Sequence, residues 1–174
     1  MLFADARRAA RGAQTCAWIA AALGVAYALI SAYWALGGTA LLSTIGGSIE
    51  HDARTGGLLV TAGEWLVVLV KLFAAALPVF VIRSSGRGRR ERVASRLAAL
   101  EALVLTLYGL VFTATGLLVQ LGVISRGAHV DNRALAWHAF LWDPWFLVWG
   151  LAVVASLRLN AAAAKPPSQA LMNA

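Results

Sequence analysis

The chain has 174 residues, of which 60% are hydrophobic and 13% are charged, and it carries a net charge of +7. A soluble domain has about 45–50% apolar and about 25% charged residues, so this composition excludes a disordered chain and argues against a water-soluble globule. The apolar residues lie in long blocks, which is typical of an integral membrane protein. We expect no nucleic-acid partner despite the positive charge, because arginines beside a membrane set the topology and contact anionic lipid.

Four apolar blocks are long enough to cross a bilayer, which takes about 20 mostly apolar residues. They cover residues 15–36, 58–82, 97–124 and 135–157. Lipid offers free backbone groups no hydrogen-bond partner, so we interpret the blocks as helices. The sequence therefore predicts an all-α, integral membrane four-helix bundle. It forms a single transmembrane domain over residues 1–160, followed by a flexible cytoplasmic tail at residues 161–174.

The basic residues predict the orientation of the bundle. Eleven of the 15 lie near the two termini or between the second and third spans. The two opposite connections hold only Arg54, Arg126 and Arg133. By the positive-inside rule, both termini are expected on the cytoplasmic side of the cell membrane. We interpret the first block as a membrane anchor, because it exceeds the roughly 7–15 apolar residues of a signal peptide.

Four ionisable residues lie inside the predicted spans, namely Glu64, Lys71, Glu101 and Asp143. Such groups are costly in lipid and usually face a cavity or each other. Glu64 and Lys71 are seven residues apart and therefore share a helix face, and Lys71 is expected to pair with Asp143. Glu64 then lacks a basic partner and is expected to stay protonated as a proton donor, the alternative being a hydrogen bond to a backbone carbonyl. The role of Glu101 stays open.

Aromatic residues are concentrated in the predicted outer half of the bundle. His138, Trp142, Trp145 and Trp149 follow a helical stripe with spacings of four, three and four residues. Packing is the usual role of such a stripe, and the alternative is a pocket wall that stabilises a cation. Pro144 cannot donate a backbone hydrogen bond, so it predicts a kink beside Asp143. The candidate substrate contacts are Tyr33, Trp34, Trp65, His138, Trp142, Trp145 and Trp149.

Small residues recur at helical spacing, which allows helices to approach closely. One face of the first span carries Ala20, Gly24, Ala28 and Ala32, and the third span carries Gly109 and Gly116. The connection at residues 37–57 is half apolar and contains three Gly-Gly pairs. It is expected either to dip into the interface or to carry a short helix at residues 39–45.

Two connections contain residue types that are able to ligate a divalent metal: Glu50, His51, Asp52, His129 and Asp131. Nothing in their spacing demands a site, and exposed polar residues are the usual content of a loop, so we assign no metal and no cofactor. Cys16 is the only cysteine. A single thiol excludes an intramolecular disulfide, dithiol redox chemistry and zinc sites built on cysteine pairs.

Two motifs carry a resemblance to known proteins. Residues Tyr33-Trp34-Ala35-x-Gly37-Gly38, together with residues 142–146 (WDPWF), resemble small four-span bacterial membrane proteins that are mostly uncharacterised. In size and in its pattern of acids and aromatics, the chain also resembles the small integral membrane terpene cyclases of bacterial indole-terpenoid pathways. It lacks the aspartate-rich diphosphate motifs of soluble terpene synthases. The resemblance therefore implies protonation of an epoxide or alkene rather than ionisation of a diphosphate.

The leading functional hypothesis is a membrane-embedded cyclase or isomerase that acts on a polyprenyl-type lipid. Glu64 or Asp143 supplies the proton, Lys71 holds the second carboxylate ionised, and tryptophans stabilise the carbocation by cation–π attraction. The alternatives are a small proton-coupled transporter and an accessory subunit of a larger membrane complex. The expected partner is a membrane lipid or prenyl-type substrate, and a homo-oligomer stays open.

Overall fold

The computed structural model describes residues 2–47, 50–51, 54, 56–84, 88–125 and 131–164. Every regular element in these residues is helical and none is a strand, which confirms the all-α prediction. Three long helices are α1 (Leu2–Ala35), α2 (Leu58–Arg83) and α3 (Arg89–Gln120). A fourth long helix, called the fourth helix below, consists of α4 (Asn132–Trp137), a π-helical segment (His138–Trp142) and α5 (Asp143–Ala163).

Four helices among the described residues are long and apolar enough to cross a membrane. This confirms the predicted number of helices of sufficient length, and four such helices are typical of a multi-pass membrane protein. The helices are longer than the apolar blocks, since α1 begins at Leu2 and α3 begins at Arg89. The physical reason is that hydropathy marks only the part of a helix that suits lipid. Alanine and arginine are strong helix formers and continue both helices beyond it.

The end of α3 differs from the prediction, because the helix stops at Gln120 and not at Ile124. Gly122 has φ +74°, and its N–H donates to the carbonyl of Val119 at 3.1 Å. The N–H of Val123 donates to the carbonyl of Leu118 at 2.9 Å. These two bonds form a Schellman motif, in which a glycine in the left-handed region ends a helix. Gly122 was the sequence signal for this boundary.

Helix packing follows the order α2, α1, α5, α3. The helix α1 packs along both α2 and α5, and α3 packs along α5, whereas α2 and α3 touch each other much less. The end of the bundle at which α2 ends and α3 begins is called the arginine end below, after Arg83, Arg89 and Arg90. The opposite end, where residues 36–47 lie, is called the loop end.

Small residues lie where helices cross, as the sequence predicted. Ala20, Gly24 and Ala28 are buried on α1, and a Cβ added to Gly24 would lie 2.6 Å from the Trp149 ring and 2.7 Å from the Ala75 Cβ atom. A Cβ on Gly109 would lie 2.3 Å from the backbone nitrogen of Leu147. The absence of a side chain therefore permits close backbone approach at both crossings.

We expect Gly109→Ala to destabilise the protein by about 1–3 kcal/mol, because the added methyl group would have to push the backbones of α3 and α5 apart. The matched control is Gly63→Ala on α2, where a Cβ would meet no atom within 4 Å. Alanine favours a helix interior by about 0.8–1 kcal/mol over glycine, so the control should be neutral or stabilising. Thermal unfolding of both variants in one detergent measures the difference, and equal unfolding temperatures would contradict the expected packing.

The segment that follows α1 packs into the loop end of the bundle. It contains a 3₁₀ turn at Leu42–Thr44, which confirms the predicted short helix within residues 39–45. Leu42 and Thr44 are buried. The indole N–H of Trp142 donates to the hydroxyl of Thr44 at 3.1 Å, and the indole N–H of Trp34 donates to the carbonyl of Ala40 at 2.8 Å. Two indole groups therefore attach this segment to the helices.

The geometry of this segment explains the glycines of the YWAxGG sequence. Gly37 has φ +89°, a conformation that other residues rarely adopt. Gly38 lies under the Tyr33 ring, where a Cβ would come within 2.3 Å of a ring carbon. The hydroxyl of Tyr33 accepts the backbone N–H of Ala40 at 3.3 Å. The motif therefore builds a tight reversal at the end of α1.

Candidate functional site

A cavity of about 470 Å³ lies at the loop end, between α1, α2 and the fourth helix. Its wall is mostly apolar and aromatic and includes the rings of Tyr27, Trp34, Tyr108, Trp142 and Phe146. The polar side chains that also line it are Ser31, Glu64, Lys71 and His138. The site therefore combines an apolar wall with one carboxyl group, one amine and one imidazole.

Helical periodicity explains the two longest walls of the cavity. Val60, Glu64, Val67 and Lys71 line it from α2 with spacings of four, three and four residues. The predicted common face of Glu64 and Lys71 is thus confirmed. On α1, Tyr27, Ser31 and Trp34 line the cavity at spacings of four and three residues. Tyr27 and Ser31 were not predicted as site residues, although the same helical period was the signal for them.

Lys71 reaches across to α1 rather than to the fourth helix. Its Nζ donates to the Ser31 hydroxyl at 2.6 Å and lies 3.9 Å from the centroid of the Tyr27 ring. The predicted pairing of Lys71 with Asp143 is wrong, because Asp143 pairs with His138 instead. The physical reason is that α2 packs along α1 and has little contact with α5.

Glu64 lines the same cavity and is half-buried. Its carboxyl group makes no hydrogen bond or ion pair with any residue that the structure describes. The predicted lack of a basic partner for Glu64 therefore holds within the described chain. An unpaired carboxyl group in an apolar wall is a candidate site for proton transfer.

The kink predicted at Pro144 takes the form of the π-helical segment. The N–H of Asp143 donates to the carbonyl of His138, five residues earlier. This wider turn places the side chains of His138 and Asp143 side by side, whereas neighbours in an α-helix are three or four residues apart. Pro144, with no N–H of its own, follows directly. Such π-helical turns are frequent at functional sites.

His138 and Asp143 share one transferable proton. His138 Nε2 lies 3.2 Å from the carbonyl of Ile45, and since a carbonyl only accepts, Nε2 carries a hydrogen. His138 Nδ1 lies 3.2 Å from Asp143 Oδ1. The bond between them then needs one further proton, held either by the imidazole or by the carboxyl group. Asp143 is 3% exposed, so this proton is shielded from bulk solvent.

Asp143 lies behind His138 and does not share a cavity with Glu64. It lines a second cavity of about 460 Å³, together with Gly46, Thr115 and Asp131. Ile45, Tyr108 and His138 line both cavities and form the wall between them. Glu64 and Asp143, the two predicted proton donors, therefore line different cavities, because the π-helical segment turns the Asp143 carboxyl group to the other side of His138.

Aromatic packing centres on Tyr27. Its ring lies 5.8 Å from Trp142, 5.7 Å from Trp145 and 4.9 Å from Phe146, measured between centroids. Trp34 meets Trp142 edge to face at 5.8 Å. These contacts hold the rings of the cavity wall in defined positions.

Several predicted substrate contacts lie outside the wall of this cavity. Tyr33 packs on Gly38, and Trp65 is exposed on α2. The indole N–H of Trp145 donates to the carbonyl of Leu23, and Trp149 is buried deeper in the core. Trp34, His138 and Trp142 do line the cavity. Of the tryptophan stripe on the fourth helix, Trp142 therefore lines the cavity, whereas Trp145 and Trp149 pack outside its wall.

Within the described residues, the loop side chains of ligating type belong to no cluster of three or more His, Cys, Asp or Glu residues. Glu50 forms an ion pair with Arg54 at 2.8 Å, and Asp131 caps α4 by accepting the N–H of Arg133 at 2.8 Å. Asp52, Arg126 and His129 lie outside the described residues.

Glu101 lies on α3, closer to the arginine end. Both carboxyl oxygens are buried and have no hydrogen-bond partner among the residues described. Glu101 is not part of either cavity at the loop end. The chemistry of the site therefore rests on Glu64, Lys71, His138 and Asp143.

Comparison with known proteins identifies the family of the chain. Residues 23–153 match the family described as protein of unknown function DUF3995. No curated protein and no solved structure matches the chain. The matched region covers 131 of the 174 residues and contains all four ionisable residues of the site. The chain therefore belongs to the DUF3995 family of proteins of unknown function.

Proposed function

We propose that this protein is a membrane-embedded isomerase or cyclase that binds a polyprenyl-type lipid in the cavity at the loop end. The reaction starts with proton transfer to a double bond or an epoxide of the lipid. The observation that carries this proposal is the 3.2 Å contact between His138 Nδ1 and Asp143 Oδ1, behind a histidine that lines an aromatic cavity. General acid catalysis of this kind contributes about 10²–10⁴-fold to a rate.

The two proton sites of the cavity have different surroundings, which suits an acid and a base. His138 lines the cavity and donates its Nε2 proton to the lipid, which breaks the hydrogen bond to the carbonyl of Ile45. The proton shared with the buried Asp143 then stays on Nδ1, so the imidazole is left neutral. Glu64 has no partner among the described residues, and we assign it the role of base instead of the predicted role of acid. In its ionised form it accepts the final proton from the product cation. Apolar walls exclude the water that would otherwise capture the cation.

The position of Lys71 restricts where a carbocation can form. An ammonium group repels a second positive charge, and Lys71 Nζ already occupies the face of Tyr27. The rings of Trp34 and Trp142, which line the cavity from α1 and the fourth helix, are the better cation–π partners. We therefore assign the reacting carbon to the side of the cavity that faces these indoles.

A proton-coupled carrier is supported less well, because a carrier needs a path to both sides of the membrane. Below the cavity the core is filled by Trp149, Val153 and Ser156, whose exposed fractions are 0–1%. Ala98 is also fully buried at this level of the described bundle. An accessory subunit would need no ligand cavity at all, whereas this chain has one of about 470 Å³.

The proposal is tested with purified protein in lipid nanodiscs prepared in deuterated water. A panel of prenyl-type epoxides, alkenes and alcohols is supplied, and products are analysed by mass spectrometry. The expected product is an isomer of the substrate. It carries one new carbon-bound deuterium when an alkene is protonated, whereas an epoxide gives a cyclised or rearranged isomer with a new hydroxyl group, because its oxygen takes the proton. Recovery of every lipid unchanged would contradict the proposal, as would proton-driven movement of an unaltered lipid across a vesicle membrane, which would favour the carrier.

We also propose that the protein lies in the cell membrane with both termini in the cytoplasm. The basic residues of the connection between α2 and α3, among them Arg83, Arg89 and Arg90, support this orientation. A fluorescent reporter fused to the C-terminus should therefore fold and emit. A periplasmic phosphatase inserted after Gly47 should be active. The reverse pattern would show that the orientation is inverted.

A further inference from the structure

The amino group of Lys71 has no part in the proposed proton transfer. Lys71 is one of two lysines in the chain, the other being Lys165. Its Nζ lies inside the cavity, where it donates to Ser31 and faces the Tyr27 ring. No carboxylate among the described residues lies within ion-pair distance of it. Lys71 is half-buried. A lysine at membrane depth without an acidic partner is costly to retain, so its presence in a ligand cavity points to a role toward the ligand.

A lysine in such a cavity can take a ligand in two ways: as a cation that pairs with an anionic headgroup, or as an amine that attacks a carbonyl carbon. Two observations disfavour the anion. The wall is mostly apolar, so it offers a headgroup little besides the amine in exchange for its hydration. Glu64 lies on the same wall, so an anionic headgroup would share the cavity with a second acidic group. A neutral lipid with a carbonyl group avoids both costs.

We propose that Lys71 binds a lipophilic aldehyde, such as a prenyl-type aldehyde, as a covalent imine. Lys71 reacts as the neutral amine, after its ammonium form has released a proton to water. The Nζ lone pair attacks the aldehyde carbon, and one Nζ proton passes to the carbonyl oxygen to give a carbinolamine. The C–O bond then breaks, the oxygen leaves as water, and a C=N bond forms to Nζ. The overall change is amine plus aldehyde to imine plus water, with no oxidant or reductant. Desolvated lysines in apolar pockets are established nucleophiles for carbonyl compounds.

The contacts of Nζ suit this step. The Ser31 hydroxyl accepts an N–H at 2.6 Å and so restricts the nitrogen lone pair to the two remaining tetrahedral positions. The Tyr27 face at 3.9 Å stabilises the positive charge of a protonated imine. The rest of the aldehyde extends along the apolar wall formed by Val67 and Val60 on the same face of α2. Capture at Lys71 goes beyond the proposed function, since it does not require the proton of His138 and Asp143.

Reductive trapping tests the inference. The full-length protein in nanodiscs is incubated with farnesal and cyanoborohydride, which reduces an imine to a stable secondary amine, and the adduct is mapped by peptide mass spectrometry. We expect Lys71 to be modified about tenfold or more over Lys165, because only Lys71 gains the effective concentration of a bound aldehyde. The K71R variant keeps the charge but cannot form this imine, and it should lose the adduct. The K165R variant carries the same substitution at the other lysine and should retain it.

Three outcomes would overturn the inference. One is equal modification of Lys71 and Lys165, which would indicate random labelling. Another is an unchanged total adduct in K71R. The third is protection of Lys71 by a long-chain carboxylate that excess farnesal does not displace, which would assign the cavity to anionic lipids. Trapping in D143N separates this inference from the proposed function, because the adduct should persist when proton transfer is lost.

Discussion

Asp143→Asn is expected to lower turnover of the prenyl-type substrate by about 100-fold or more while leaving the fold intact. An asparagine amide can donate to His138 Nδ1, so the hydrogen bond at 3.2 Å is kept and His138 Nε2 stays on the carbonyl of Ile45. What is lost is the ionisable proton between the two side chains. A residue with a purely structural role would not show this combination of preserved folding and lost turnover.

Asp131→Asn is the matched control for this substitution. Asp131 lines the cavity behind His138, and its carboxylate caps α4. Asparagine caps helices as well as aspartate does, so D131N should keep both its fold and its turnover. Product formation and thermal unfolding are measured for both variants in the same nanodiscs. Wild-type turnover in D143N, or an equal loss in D131N, would remove His138 and Asp143 from the proposed mechanism.

Trp149→Ala should cause the largest loss of stability, about 3–5 kcal/mol. Trp149 is 1% exposed and its ring lies against Phe146 with centroids 6.5 Å apart. It also fills the crossing at Gly24. In lipid, the hydrophobic effect does not drive helices to associate with each other, so their association depends on packing contacts of this kind. Removing the indole leaves a cavity in the core of the bundle.

Phenylalanine substitutions at two equally buried tryptophans separate packing from hydrogen bonding. Trp142 and Trp149 are both 1% exposed, but only the Trp142 indole N–H has an acceptor, the hydroxyl of Thr44. The Trp149 Nε1 atom has no partner among the described residues. Removing an unsatisfied buried N–H recovers about 1–3 kcal/mol, which offsets part of the lost volume.

We therefore expect W149F to unfold at a higher temperature than W142F. W142F loses ring volume and also frees the Thr44 hydroxyl that attaches the 36–47 segment to the fourth helix. Unfolding curves in one detergent measure the order of the two variants. The opposite order would mean that Trp149 Nε1 finds an acceptor in the folded protein. An undiminished stability of W149A would contradict the role of Trp149 in the core.

Much of the candidate site was visible in the sequence wherever its residues follow one regular helix. Glu64 and Lys71 are seven residues apart and line one cavity, as predicted. The same reasoning would have found Tyr27 and Ser31 on α1. His138 and Asp143 are five residues apart, which predicts no contact in an α-helix. Only the π-helical turn before Pro144 brings them together. Pro144 predicted a kink, but it did not predict that the kink is a π-helical turn.

The all-α class of the protein, with four long apolar helices, was determined by its sequence alone. Hydropathy and the need to satisfy backbone groups in lipid act locally, so four helices and their small-residue faces were predictable. The partners of the buried ionisable groups were decided only by the tertiary structure. Which helix lies beside Lys71, and to which side Asp143 turns, depends on how the helices are rotated against each other. No local pattern specifies that rotation, because it results from the packing of all the helices at once.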